Sequence, residues 1–146
     1  MQGSTHFVVG VAVGLASSSG QAPLGLAAGA ALGGLAALVP DWIQINLPGM
    51  SNGIKGAFGH RGVSHWLWAA FLAAYGSSLI WAPAFVPVLV GWGSHVFLDA
   101  LSNGAPALWP LKRITLARIR TGSWMDRVVG GVGLLACVVL VSQEVC

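Results

Sequence analysis

The segment GSHVFLDAL places His95 and Asp99 four residues apart inside an apolar run. On a helix that spacing projects both side chains from one face, and an imidazole with a carboxylate one turn on makes a good metal-ligand pair. A bound cation would also offset the cost, about several kcal/mol, of burying an ionised Asp among Val, Phe and Leu. A second polar concentration, GHRGVSHWLW, holds His60, Arg61 and His65 where another apolar run begins. His6 and Asp41 lie at the ends of two further runs. Mixed imidazole and carboxylate donors suit zinc, manganese or iron rather than calcium or magnesium. Taken one at a time, these residues have plainer readings. His95 alone could be a hydrogen-bonded packing residue, Asp41 a turn cap after Pro40, and Asp126 an ion-pair partner of Arg127.

The elements that must position these side chains follow from composition. The chain has 146 residues, enough for a single domain over 1–146; it is 55% hydrophobic and has a mean hydropathy of +0.77. Only 8% of it is charged, against about 25% in a soluble domain. So little polar surface predicts an all-α integral membrane bundle, since strands exposed to lipid would leave backbone groups unpaired. Apolar stretches run from Thr5 to Ala16, Ala22 to Val39, Val63 to Trp81, Phe85 to Leu101 and Ser123 to Val141. A span needs about 20 residues, so about five transmembrane helices are expected, the first one short. With no basic residue in positions 1–5 and no cleavage pattern, the first stretch is expected to stay in place. Cys137 and Cys146 sit more than a helical turn apart and are not expected to pair.

Five alternating spans sort the charges. Lys55, Arg61, Lys112, Arg113, Arg118, Arg120 and Arg127 all fall on one side, which the positive-inside rule makes the cytoplasm. The N-terminus is then cytoplasmic and the C-terminus periplasmic. His6, Asp41, His60, His65, His95, Asp99 and Asp126 fall on that same side, leaving only Glu144 elsewhere among the acids. Intramembrane ionisable residues are functional by default, and this convergence points to a metal site at one membrane face. His6 and His65 are expected at helix N-termini, where the dipole disfavours imidazolium and keeps a nitrogen available. The segment Ala107–Arg120 reads as a headgroup-level amphipathic stretch or as a solvated loop. Nucleic acid is not an expected partner, because topology already accounts for the net charge of +3. Gly25, Gly29 and Gly33, with Gly10 and Gly14, repeat at a spacing that lets helices approach closely. They could pack within one bundle or make a homo-oligomer.

The ordered set Thr5-His6, Pro40-Asp41, His60-Arg61-Gly62-x-Ser64-His65 and Gly93-Ser94-His95-x-x-Leu98-Asp99 resembles the YdjM-like family of bacterial inner-membrane metal-dependent hydrolases. The landmarks Asn103-Gly104, Trp109-Pro110 and Thr121-Gly122-Ser123 match as well, so the resemblance covers nearly the whole chain. It implies a small helical protein of the inner membrane with a metal-dependent hydrolase site. Two positions depart from the pattern. The second acid of the family's Pro-Asp-x-Asp is Ile43 here, which removes a ligand for a second ion or shifts ligation to another side chain. The position after Thr-Gly-Ser that is commonly Glu is Asp126.

Hydrolysis at such a site needs a metal-activated water, a group that stabilises the anion and a general acid or base. The expected ligands, for one or two ions with zinc foremost, are His6, Asp41, His65, His95 and Asp99. His60 is a further ligand or a proton donor, Asp126 a base or a residue that orients a ligand, and Arg61 a partner for phosphate or carboxylate. A site at the bilayer surface rimmed by Lys112, Arg113 and Arg118 favours an anionic amphiphile, a lipid phosphoester or ester. The alternative is a non-catalytic metal-binding membrane protein with a regulatory, scaffold or ion-handling role. No Gly-x-Ser-x-Gly elbow and no phosphate loop occurs, so serine-nucleophile and nucleotide-driven chemistry lack support.

Overall fold

The computed structural model describes residues 1–43, 62–108 and 113–145. Lys55, His60, Arg61, Lys112 and Cys146, singled out above, lie outside the described residues. The helices are α1 (Gly3–Ser17), α2 (Pro23–Ala36), the single-turn α3 (Val39–Trp42), α4 (Leu67–Ile80), α5 (Phe85–Ser102) and α6 (Trp124–Val145). Short 3-10 turns at Val63–His65 and Ala82–Ala84 lead into α4 and α5. Among the described residues the only β feature is one bridge pairing Ala105 with Ile114. The protein is a helical membrane bundle.

Local chemistry sets the ends of these helices. Pro23 occupies the first turn of α2, where a missing N–H costs nothing. Gly104, at φ +83°, closes α5 by returning its N–H to the Asp99 carbonyl at 2.9 Å, a conformation that glycine adopts without a Cβ penalty. Among the described residues three stretches are long and apolar enough to cross a membrane: Pro23–Trp42, Ala82–Ser102 and Trp124–Glu144, of 20, 21 and 21 residues. The first of these runs through α2 and α3 together. Helix α1 is short, as expected. The third apolar run differs from expectation, because Trp66 is extended (φ −87°, ψ 142°) and the helix starts only at Leu67. Its 14 residues reach about 21 Å at 1.5 Å per residue, less than the roughly 30 Å hydrocarbon core.

Helix α5 is the hub. It packs on α1, α2 and α4, while α6 packs on α1 and leaves Val128, Val132, Leu135 and Val138 exposed. Glycines bring three of these helices into backbone contact. A Cβ on Gly33 would collide with the Gly10 carbonyl and come within 2.8 Å of the Gly14 Cα. One on Gly91 would strike the Gly33 backbone, 2.8 Å from its Cα. Gly29 likewise abuts Gly14 and Ser18, whereas Gly25 faces the Gln21 side chain. Gly29 and Gly33, which the spacing offered as a candidate homo-oligomer surface, are therefore buried between helices of the same chain. Close approach of this kind replaces the hydrophobic driving force that lipid removes.

Candidate metal centre

The polar cluster stands one helical turn from that glycine layer. Gly10 lies in α1 and His6 four residues before it; Gly33 lies in α2 and Ala37 four after it; Gly91 lies in α5 and His95 four after it. Because i and i+4 stack on one helix face, the backbone contact at the glycines draws His6, Ala37 and His95 together. The His6 and His95 rings stack with centroids 4.0 Å apart. The Nδ1–H of His95 donates to the Ala37 carbonyl at 2.7 Å. A carbonyl can only accept, so the proton sits on Nδ1 and, in the neutral ring, Nε2 carries the lone pair.

His95 Nε2 faces a converging set of donors. His65 Nε2 is 3.1 Å away, Asp41 Oδ1 3.6 Å and Asp99 Oδ2 3.9 Å. His65 Nε2 in turn lies 3.3 Å from Asp99 Oδ2 and 3.6 Å from Asp41 Oδ1. The second oxygen of Asp99 is 3.5 Å from His6 Nε2 and accepts from the Met1 α-amino group at 3.4 Å. All five described candidate ligands thus belong to one continuous cluster. Two triads, His6–Asp41–His95 and His65–His95–Asp99, each place their ligand atoms within 4.8 Å of one another. The side chains of His6, His65, His95 and Asp99 are at most 3% exposed, whereas that of Asp41 is 34% exposed. Asp41 is the open side of the cluster.

The donors fit a transition metal. Tetrahedral zinc with bonds of about 2.0–2.1 Å holds its ligand atoms roughly 3.3–3.4 Å apart, and the spacings above bracket that value. Both ring nitrogens of His6 are buried with no hydrogen-bond partner among the described residues. An imidazole in that state loses its hydration without return, a cost of about 1–3 kcal/mol, which coordination would remove. Two imidazole nitrogens facing each other at 3.1 Å also need a proton or a cation between them. Surrounding contacts hold the ligands in aim, as outer groups around a metal commonly do. The Trp92 indole N–H donates to the Ser64 carbonyl at 2.8 Å, anchoring the 3-10 turn that carries His65. Ser64 Oγ lies 3.1 Å from His65 Nδ1.

Asp126 is placed differently. It is fully buried in the first turn of α6, but it faces α1. Its oxygens accept from Thr5 Oγ1 at 2.8 Å, the Gly122 N–H at 2.7 Å and the Gln2 N–H at 3.1 Å. The plain Asp126–Arg127 ion pair is absent, since these three donors occupy the carboxylate and Arg127 is exposed. Asp126 thereby ties the start of α6 to the residue next to His6. Ser102 is a cluster residue that the motif reading missed; its Oγ accepts from the Met1 α-amino group at 3.3 Å. Its place one turn after Asp99 was the available signal. The Ala37 carbonyl carried no signal, because every residue has one.

A family model described as YdjM inner membrane protein matches residues 1–144. No curated protein and no solved structure matches the chain.

Proposed function

Since the chain belongs to the YdjM inner membrane protein family and gathers three imidazoles and two carboxylates at one end of its bundle, we propose that it is a metal-dependent hydrolase. Its substrate class is a lipid or amphiphilic phosphoester or ester, met at the cytoplasmic membrane surface. The observation that carries this reading is His6, buried among acids and histidines with neither ring nitrogen hydrogen-bonded among the described residues. His6, Asp41, His65, His95 and Asp99 would hold a divalent transition metal, zinc foremost, with manganese or iron as alternatives. Bound there, the ion would supply Lewis-acid activation of water and of the scissile group.

The count of ions follows from His95. Both candidate triads use it, but Nδ1 is committed to the Ala37 carbonyl, so His95 has one lone pair to offer. Ile43, at the C-terminal cap of α3, brings no donor for a second centre. One ion per chain is the reading. Helices α1, α3 and α5 and the 3-10 turn Val63–His65 carry the donors, and exclusion of water by the buried ring faces strengthens every charge interaction at the centre. Asp41, the one accessible carboxylate of the set, faces incoming substrate. His60 is kept as a proton donor or further ligand, and Arg61 as an anion partner.

The direct test uses purified protein in nanodiscs of phosphatidylglycerol and phosphatidylethanolamine, stripped by chelator and reloaded. Release of a lipid product that stops with chelator, returns with zinc or manganese and is lost in His95→Ala supports the reading. A stably loaded protein that cleaves neither lipid phosphoesters nor lipid esters would instead favour a non-catalytic metal-binding role.

A further inference from the structure

A cavity of about 550 Å³ opens at the C-terminal end of α5, between Ser102–Asn103 and the segment that returns along the helix end through Thr115, Arg118 and Arg120. We propose that this cavity is an anion site that takes the phosphate group of a phosphate-bearing amphiphile. Its assignment to the substrate of the metal centre rests on the hydrolase reading above; the anion site itself does not.

The cavity is built for a phosphate. Arg118 and Arg120 both line it, and no carboxylate does. Among the described residues neither guanidinium is paired with an acid, so both are available. A planar guanidinium matches phosphate oxygens with two parallel hydrogen bonds, and Thr115, Ser102 and Asn103 add hydroxyl and amide groups to the wall. The arginines are not on a loose strand. The Leu116 N–H donates to the Ala100 carbonyl at 2.8 Å and the Ile119 N–H to the Leu101 carbonyl at 3.1 Å. Those bonds satisfy carbonyls that the end of α5 would otherwise leave unpaired, and they fix the segment beside the cavity. The volume falls in the range of sites for small organic ligands, about 300–1,000 Å³, enough for a phosphate and its glycerol.

Two placements connect this site to lipid and to the metal centre. Trp42, Trp68 and Trp124 are 66%, 66% and 72% exposed and lie within about three residues of Asp41, His65 and Asp126 in sequence. Exposed indoles gather at the headgroup level of a bilayer, and the cavity lies at the end of the span Ala82–Ser102, just before Trp124. Its wall also touches the centre: Ser102 and the Asp99 carboxylate share the Met1 α-amino group, at 3.3 and 3.4 Å. That shared contact links the cavity wall to the ligand cluster.

The test is lipid retention by the full chain in detergent, read by native mass spectrometry, with metal content measured on the same samples. Phosphatidylglycerol is compared with diacylglycerol, which lacks the phosphate, for wild type, the double variant Arg118→Gln/Arg120→Gln and the control Arg127→Gln, an exposed arginine outside the cavity. The expected result is a loss of more than about tenfold in phosphatidylglycerol affinity for the double variant, a change under about twofold for the control, and unchanged metal. Competition by inorganic phosphate or glycerol 3-phosphate would show that the free anion is read alone; binding of lipid that these do not displace would show that the headgroup is read in its membrane. Equal retention of diacylglycerol, or a double variant within about twofold of wild type, overturns the site. Metal-free wild type with arginine-dependent lipid retention would fail the hydrolase reading and leave the anion site standing.

Discussion

At the scale of the residue, the centre depends on His95 more than on any other side chain. Its Nδ1 is held by a backbone carbonyl and its Nε2 faces His65, Asp41 and Asp99. Replacing His95 with Asn, which keeps a polar head but not the reach of the ring, is expected to lower metal affinity by at least about a hundredfold while leaving helix content unchanged by circular dichroism. Asp126 is expected to behave otherwise. Removing it in Asp126→Ala strands the Thr5 hydroxyl and the Gln2 and Gly122 N–H groups, a loss of about 2–3 kcal/mol of stability. Thermal unfolding in detergent measures that loss. Metal affinity should fall less than in the His95 variant, because Asp126 touches the residue beside His6 and not the donors. The donors were legible in the sequence as polar side chains placed where apolar runs begin or end. The direction of Asp126 was not, since its partners are two backbone amides and a threonine from segments more than a hundred residues away or across a turn.

At the scale of the element, glycine contacts decide whether the donors meet. Gly10, Gly33 and Gly91 form one layer, and His6, Ala37 and His95 form the next. The variant Gly33→Leu puts a side chain against the α1 backbone at Gly10 and Gly14, where nothing flexible can yield. It is expected to cost more than about 3 kcal/mol by overpacking and to abolish metal binding without touching a ligand, as elemental analysis would record. Gly25→Ala, whose Cβ would meet only the end of the Gln21 side chain and its stem, should be nearly neutral. Spacing alone showed that these helices could approach closely, but not which partner each glycine would meet. The start of α4 was likewise hidden: Trp66 is as apolar as its neighbours, and only its extended backbone sets the 3-10 turn of His65 apart from the helix. Helices α5 and α6 were easy to read because long uninterrupted apolar stretches have no other stable form in lipid.

At the scale of the whole molecule, the arrangement is one-sided. The ligand cluster, the arginine cavity and three exposed tryptophans gather at one end of the bundle, while α6 turns an apolar surface outward. From the positive-inside rule we propose that this end faces the cytoplasm. A reporter that fluoresces only in the cytoplasm should therefore be dark when fused after Val145 and bright when fused ahead of Met1; the reverse pattern would place the centre on the periplasmic face.

The most direct test of the account is the metal content of detergent-purified wild-type protein, set beside His95→Ala and Asp99→Ala of matched helix content. The account predicts one transition-metal ion per chain in the wild type, zinc foremost, and none in either variant. Wild-type protein that carries no metal and takes up neither zinc nor manganese when offered them would contradict it, and the buried histidines and carboxylates would then be a hydrogen-bonded core.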